Sequence, residues 1–312
     1  MNVDAKLARL RDILAREGLD AYIVPSSDPH QSEYPPAHWK SREWISGFSG
    51  SSGTVVITRS RAGLWTDSRY YLAAESALSG TSVELFRHGM PDVPDYPQFL
   101  AESLPAGSVV GFPGKVLGVS THRRILQSLE RAGITTRATN DLFAEIWRDR
   151  PPLPKEPIYE HEVPYAGTTR EAKLAQLRDE LEARECEWTV VATLDDIAWL
   201  FNLRGTDVPY NPVFLSFAVV GRDRTVLCVH QASMSDQLRA DLEAGGVSIL
   251  DYHTVDEVVR SIPVESRVLV DPERINVELF QAIPGTIVEE MNPTTRLKAR
   301  KTQAELENLR RC

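Results

Sequence analysis

Arg69 follows Asp67 at the end of an apolar run, Leu64-Trp-Thr-Asp67. A guanidinium placed there can hydrogen-bond a peptide carbonyl or carboxylate through two parallel N–H donors. It can equally form a structural pair with Asp67 or Glu75. A second polar group, Arg204-Gly-Thr-Asp207 followed by Asn211-Pro212, lies between apolar segments. Polar loops at strand ends often face clefts. The self-contained alternative pairs Arg204 with Asp207 and lets Asn211 start a turn. Asp28-Pro-His30-Gln-Ser-Glu33-Tyr34 gathers metal-capable side chains, but Pro29 breaks any helical i,i+4 arrangement and further ligands would have to come from elsewhere. A helix N-cap by Ser27 or Asp28, with proline in the first turn, accounts for the same residues. The run Ser46-Gly-Phe-Ser-Gly-Ser-Ser-Gly53 resembles a phosphate loop on the surface, yet it lacks the P-loop lysine and the GxGxxG spacing. Its glycines suit tight turns before a strand. Ser49 and Ser51 do not sit in a nucleophile motif, and the seven histidines are scattered. No catalytic residue and no metal ligand is therefore assigned.

These side chains need a scaffold, and the composition bounds it. A chain of 312 residues is long enough for about two domains of roughly 150 residues. With 42% hydrophobic and 25% charged residues it reads as an ordinary globular protein. The net charge of −9 argues against nucleic acid, which needs a basic face. No stretch approaches the roughly 18 apolar residues of a membrane span, and the charged start lacks the apolar core of a signal peptide. The three cysteines, Cys186, Cys228 and Cys312, form no CxxC. A disulfide framework or a cysteine zinc site is not expected, and a reducing cytoplasm is the simplest setting.

An internal repeat organises the chain. Residues 5–14 read AKLARLRDIL and residues 172–181 read AKLAQLRDEL, identical at eight of ten positions with an offset of 167. Leu7, Leu10 and Leu14, and again Leu174, Leu177 and Leu181, make one apolar stripe of a helix. Asp4 lies near the first helix start, and Thr168 or Thr169 can cap the second. The same order follows each helix. First comes a β-rich run (Leu19–Val24; Trp188–Thr193), then an acidic turn (Ser27-Asp28; Asp195-Asp196). A helix-like stretch ending in a glycine loop follows (Trp44–Phe48; Trp199–Gly205). Then come a strand (Gly53–Thr58; Phe214–Val220), a polar hairpin and a return strand (Ala62–Asp67; Thr225–His230). Short buried strands are expected at Val109–Phe112 and Arg267–Asp271, with helices near 118–132 and 276–282. Alternating helices and strands with hairpins imply α/β domains, each a mixed sheet with helices packed on it. The prolines of Arg148-Asp-Arg-Pro-Pro-Leu-Pro-Lys-Glu-Pro157 stiffen the chain, so 149–167 reads as a linker. Lys298–Cys312 reads as a helix-prone run with no glycine or proline stop signal, and Leu306 and Leu309 have no obvious partner.

Five segments together form a family signature. They are Ser26-Ser-Asp-Pro-His-Gln-Ser-Glu-Tyr34, Ile45-Ser-Gly-Phe-Ser-Gly-Ser-Ser-Gly-Thr54, Leu64-Trp-Thr-Asp-Ser-Arg-Tyr70 and Ile146-Trp-Arg-Asp-Arg-Pro151. The longest is Asp195-Asp-Ile-Ala-Trp-Leu-Phe-Asn-Leu-Arg-Gly-Thr-Asp-Val-Pro-Tyr-Asn-Pro-Val-Phe214. The chain resembles the first two domains of the three-domain aminopeptidase P family, in the creatinase/prolidase superfamily (peptidase family M24). The resemblance implies two tandem creatinase-N-terminal-like domains of ribonuclease-H-like topology, over 1–148 and 168–297. It implies a following pita-bread domain with two divalent metal ions, commonly manganese, absent from this chain, whose opening residues 298–312 resemble. Such an enzyme removes the residue ahead of proline, and its metal ligands lie outside this sequence. The chain is therefore expected to be a fragment, inactive alone and without a cofactor of its own. It is expected to wall the active-site cleft and support a homo-oligomer, a dimer or a tetramer, in the cytoplasm, acting on proline-containing peptides. By resemblance Arg69 reaches the peptide, and Arg204, Asp207 and Asn211 lie near the active site. The family usually has glycine where Ser68 stands, so the placement of Arg69 depends on how that turn adapts. The alternative reading is a stand-alone peptidase-like binding module without catalysis.

Overall fold

The structure, a computed structural model, describes residues 1–311. Residues 1–28 with 33–152 form one compact unit, and residues 29–32 with the chain from 153 onward form a second.

The first unit opens with α1 (Val3–Arg16). Asn2, rather than Asp4, caps this helix, its side chain accepting from the Ala5 amide at 2.9 Å. Leu7, Leu10, Ile13 and Leu14 all point inward, as the leucine spacing requires. They meet Tyr22 and Val24 of β1 (Ala21–Pro25), Val55 and Ile57 of β2 (Thr54–Thr58) and Leu64 of β3 (Ala62–Thr66) in one core. Between β1 and β2 lies α2 (Ser41–Ser46). Then come α3 (Tyr71–Leu78), β4 (Val83–Arg87), α4 (Tyr96–Ser103), β5 (Val109–Pro113), α5 (Val119–Glu130) and β6 (Thr135–Thr139). The sheet order is β4-β3-β2-β1-β5-β6. Only β2 runs antiparallel to its neighbours; β3–β4, β1–β5 and β5–β6 are parallel pairs.

In the second unit, β7 (Tyr159–Glu160) and the one-turn α6 (Val163–Ala166) precede α7 (Arg170–Glu182). The second half of the expected linker is thus structured. Thr169 caps α7 through the Ala172 amide. Next are β8 (Trp188–Val191), α8 (Leu194–Leu200), β9 (Leu203–Arg204), β10 (Ser216–Gly221) and β11 (Thr225–Val229). After them come α9 (Asp236–Ala244), β12 (Val247–Asp251), α10 (Val255–Arg260), β13 (Arg267–Val270), α11 (Val277–Ala282) and β14 (Thr286–Glu289). The order β12-β11-β10-β8-β13-β14 repeats that of the first sheet, strand for strand, and β10 is again the antiparallel member. Asp195 and Asp196 lie in the first turn of α8, where their charge favours the helix dipole, rather than in a turn.

The carboxyl end is two helices, α12 (Pro293–Ala299) and α13 (Gln303–Arg311). The break comes from a capping box: Glu305 accepts from the Thr302 amide at 2.7 Å and Thr302 Oγ1 from the Glu305 amide at 3.2 Å. The T-x-x-E signal was present in Thr302-Gln-Ala-Glu305, and it outweighs the lack of glycine or proline. Leu309 is exposed.

Candidate functional site

In the first unit the site is built on the carboxyl end of β3. Asp67 ends the strand and caps a short helical turn, Ser68–Tyr70. Ser68 takes this turn without a positive φ, which leaves no strain where a glycine was expected. Arg69 is exposed and forms a two-bond fork with Asp67, Nε to Oδ1 at 2.9 Å and Nη2 to Oδ2 at 2.8 Å. The Tyr70 ring lies under its guanidinium at 5.2 Å. The fork holds the Asp67 carboxyl well below the usual carboxylate range and raises Arg69. Among the described residues no protein group bonds Arg69 Nη1, so one edge of the guanidinium remains open to a carbonyl or carboxylate. Glu75 pairs with Arg87 instead.

The serine- and glycine-rich loop beside Arg69 works in the opposite sense to a phosphate cradle. A phosphate loop turns its N–H groups toward an anion. Here the carbonyls of Phe48 and Gly50 turn toward a cation, the buried Arg42 guanidinium. Arg42 Nε also donates to Ser26 Oγ at 2.8 Å, and that hydroxyl donates to the Gly53 carbonyl at 2.6 Å. Burial lowers Arg42 to about 10. Ser51 shares a hydroxyl hydrogen bond of 2.7 Å with Tyr70, which lowers the phenol. Sequence reasoning missed Arg42 because an arginine in Ser-Arg-Glu-Trp reads as a solvated helix position.

In the second unit, Arg204, Asp207 and Asn211 share one loop but do not converge. Arg204 Nη1 turns inward to the Ala198 and Leu203 carbonyls, both at 2.9 Å, and burial lowers this guanidinium. Asp207 is buried and takes two backbone amides, Glu156 at 3.0 Å and Leu215 at 2.8 Å. It staples the loop rather than pairing with Arg204. Gly205 is required here, since a Cβ would sit 2.7 Å from that of Phe214. Asn211 is exposed, closes a small bridge with Val208, and follows the fully exposed Tyr210, whose φ is 63°. In this loop Asn211 and Tyr210 therefore face solvent, while the charged pair serves the backbone.

The Asp28–Tyr34 segment starts no helix; the next helical turn is Ala37–Trp39. Pro29, Pro35 and Pro36 keep it irregular. His30 is buried within the second unit. Its Nδ1 donates to the Ala192 carbonyl at 2.9 Å, and its Nε2 meets the Tyr252 hydroxyl at 2.8 Å. Both ring nitrogens are engaged, which suits a structural imidazole. Among the described residues, no three His, Cys, Asp or Glu side chains converge as a metal ion would need.

Two stretches match the Creatinase/Prolidase N-terminal domain family, residues 6–146 and residues 149–305. A probable Xaa-Pro aminopeptidase P of Botryotinia fuckeliana is 36% identical over 329 residues, covering all of this chain and 49% of the relative. One from Pyricularia oryzae is 36% identical over 324 residues, covering 98% of this chain and 52% of its own length. Among solved structures, an X-prolyl aminopeptidase of Caenorhabditis elegans, described as a cytosolic enzyme with a di-nuclear active site, aligns with a TM-score of 0.91 at 30% identity. That alignment covers all of this chain and 53% of the other. The chain spans about half the length of the curated relatives it matches. With both halves matched and both sheets built in one order, the chain belongs to the creatinase/prolidase N-terminal domain family.

Proposed function

We propose that this chain is the non-catalytic part of a Xaa-Pro aminopeptidase, walling the cleft that admits proline-containing peptides. The likeness to the C. elegans X-prolyl aminopeptidase over the whole chain carries the reading. The reading includes a cytoplasmic homo-oligomer and two divalent metal ions, of the manganese kind, that polarise water when bound. The described residues do not fit such a centre, because no ligand cluster converges among them. No hydrolytic step is assigned to them.

In this reading Arg69 does the orienting. Asp67 occupies one edge of its guanidinium, and the remaining edge donates to a peptide carbonyl or carboxylate. In the second unit, Asn211 and Tyr210 are the exposed residues of their loop, which the Asp207 staple holds. Arg69→Ala, in the natural full-length polypeptide that carries these residues, is expected to lower kcat/KM by about 1–3 kcal/mol, the scale of a charge-assisted hydrogen bond. Metal content should not change. Wild-type kinetics would remove Arg69 from the cleft.

A further inference from the structure

We propose that Arg42 is a positioning residue that presents Arg69 to the peptide, acting through the loop 48–53. It deepens the reading above and rests on it for its kinetic consequence. Arg42 lies inside α2, 6% exposed. Among the described residues its hydrogen-bond partners are all neutral oxygens: Ser26 Oγ and the carbonyls of Phe48 and Gly50. The guanidinium carbon also lies 4.9 Å from the Phe48 ring centroid. A buried cation whose hydrogen bonds go only to neutral dipoles is costly. It is kept because it gathers one loop from three directions, with Ser26 passing the hold on to Gly53.

Two contacts then fix Arg69, and both start from this loop. The first is through Tyr70. Ser51 Oγ bonds its hydroxyl, and the Phe48 ring packs edge-on against it at 5.9 Å. Gly50 is so close to both rings that a Cβ would lie 2.8 Å from Tyr70 and collide with Phe48. The second is through Asp67. Thr66, the residue before Asp67, donates through Oγ1 to the Ser52 carbonyl at 2.7 Å, which ties the strand end carrying Asp67 to the loop. Tyr70 supplies the face under the Arg69 guanidinium and Asp67 supplies its fork. An exposed arginine normally spends much side-chain entropy to meet a ligand. Here that ordering is complete before a ligand arrives.

Two measurements test this, one on structure and one on kinetics. In the first, Arg69 Nε–H is followed by NMR in the arginine-labelled chain. Wild type should show a slowly exchanging Nε–H, and Arg42→Met should bring it close to that of a free arginine. Arg42→Lys, which keeps the charge without the fork, should fall between. An Arg69 signal unmoved in Arg42→Met overturns the proposal, whatever Arg69 does in the reaction. In the second, kcat/KM of the full-length enzyme is measured for Arg42→Met, Arg69→Ala and the double variant. The double should be no slower than Arg69→Ala alone. Multiplying effects would show that Arg42 acts by another route and would overturn the proposal. Arg69→Ala at wild-type rate with the NMR shift intact would instead sink the peptide-contact reading and leave the positioning established. If Arg42→Met does not fold, Gly50→Ala takes its place. It presses on Tyr70 with Arg42 kept, and the same loss of Nε–H protection and the same non-additivity are expected.

Discussion

The repeated helices α1 and α7 are locked by the same two side chains, 167 residues apart. Lys6 Nζ donates to the Trp44 carbonyl at 2.6 Å and lies 4.5 Å from that indole centroid. Lys173 Nζ donates to the Trp199 carbonyl at 3.0 Å and lies 4.4 Å from its indole. Arg11 Nε reaches the Thr58 carbonyl at 3.0 Å, and Arg178 Nε the Gly221 carbonyl at 3.1 Å. The difference is burial. Lys6 is half-buried, whereas Lys173 is 2% exposed and gains a third partner, Asn202 Oδ1 at 2.6 Å. Asn202 reaches it from a left-handed backbone position, φ 51°, that asparagine tolerates better than most residues. Burial lowers both lysines, Lys173 to about 8. One duplicated lock therefore sits near the surface in one unit and in the interior in the other.

The largest expected effect is on Lys173. Lys173→Ala leaves Asn202 Oδ1 and the Trp199 carbonyl without their donor in a buried site, and should cost about 3 kcal/mol in denaturant unfolding. Lys6→Ala should cost about 1 kcal/mol, because water replaces part of what is lost. Equal costs would break the comparison.

The same lock sets a pH dependence. Lys173 releases its proton near 8 in the folded chain and near 10.5 in the unfolded one. Between these values the unfolded chain holds more protons, so this group makes stability rise with pH. Cys228, pushed by burial to about 12, acts in the opposite direction above about pH 9. The difference in midpoint between wild type and Lys173→Met, followed from pH 7.5 to 10, isolates the lysine. Wild type should gain on the variant as pH rises, and a flat difference would contradict the assignment.

On the acid side, His230 has a buried Nε2 without a hydrogen-bond partner among the described residues, and burial lowers it. Below pH 6.5 the unfolded chain binds the proton first, so stability falls as pH drops through that range. His122 and His161 are lowered by burial too and share the sign. His230→Phe should remove part of the slope measured between pH 7 and 5.

The smallest contrast is between the arginines. Arg178 has a second bond, to Thr225 Oγ1 at 2.8 Å. Arg178→Ala should therefore cost slightly more than Arg11→Ala, each on the order of 1 kcal/mol.

The sequence showed the duplication and the inner strands, and it did not show the sheet edges. β1, β2, β3 and β5 and their second-unit counterparts carry buried apolar runs. The edge strands do not. Thr135-Thr-Arg-Ala-Thr139 and Thr286-Ile-Val-Glu289 present half-exposed or exposed side chains and carry no clear alternation. The site was legible only in part. Arg69 and its Asp67 partner stand two residues apart, and local spacing suffices to find them. Arg42 and Asn202 act through carbonyls and a left-handed turn, which residue types do not reveal. Asp207 has the charge of a site residue, but its two oxygens serve backbone amides 51 and 8 residues away, at Glu156 and Leu215.

The central claim is that these residues shape access to a peptidase cleft and do not themselves hydrolyse the peptide. It is tested most directly by assaying the purified chain, metal-quantified with and without added manganese, on a peptide whose second residue is proline. The account calls for no release of the first residue and no stoichiometric metal. Turnover that follows bound metal at constant specific activity would contradict it.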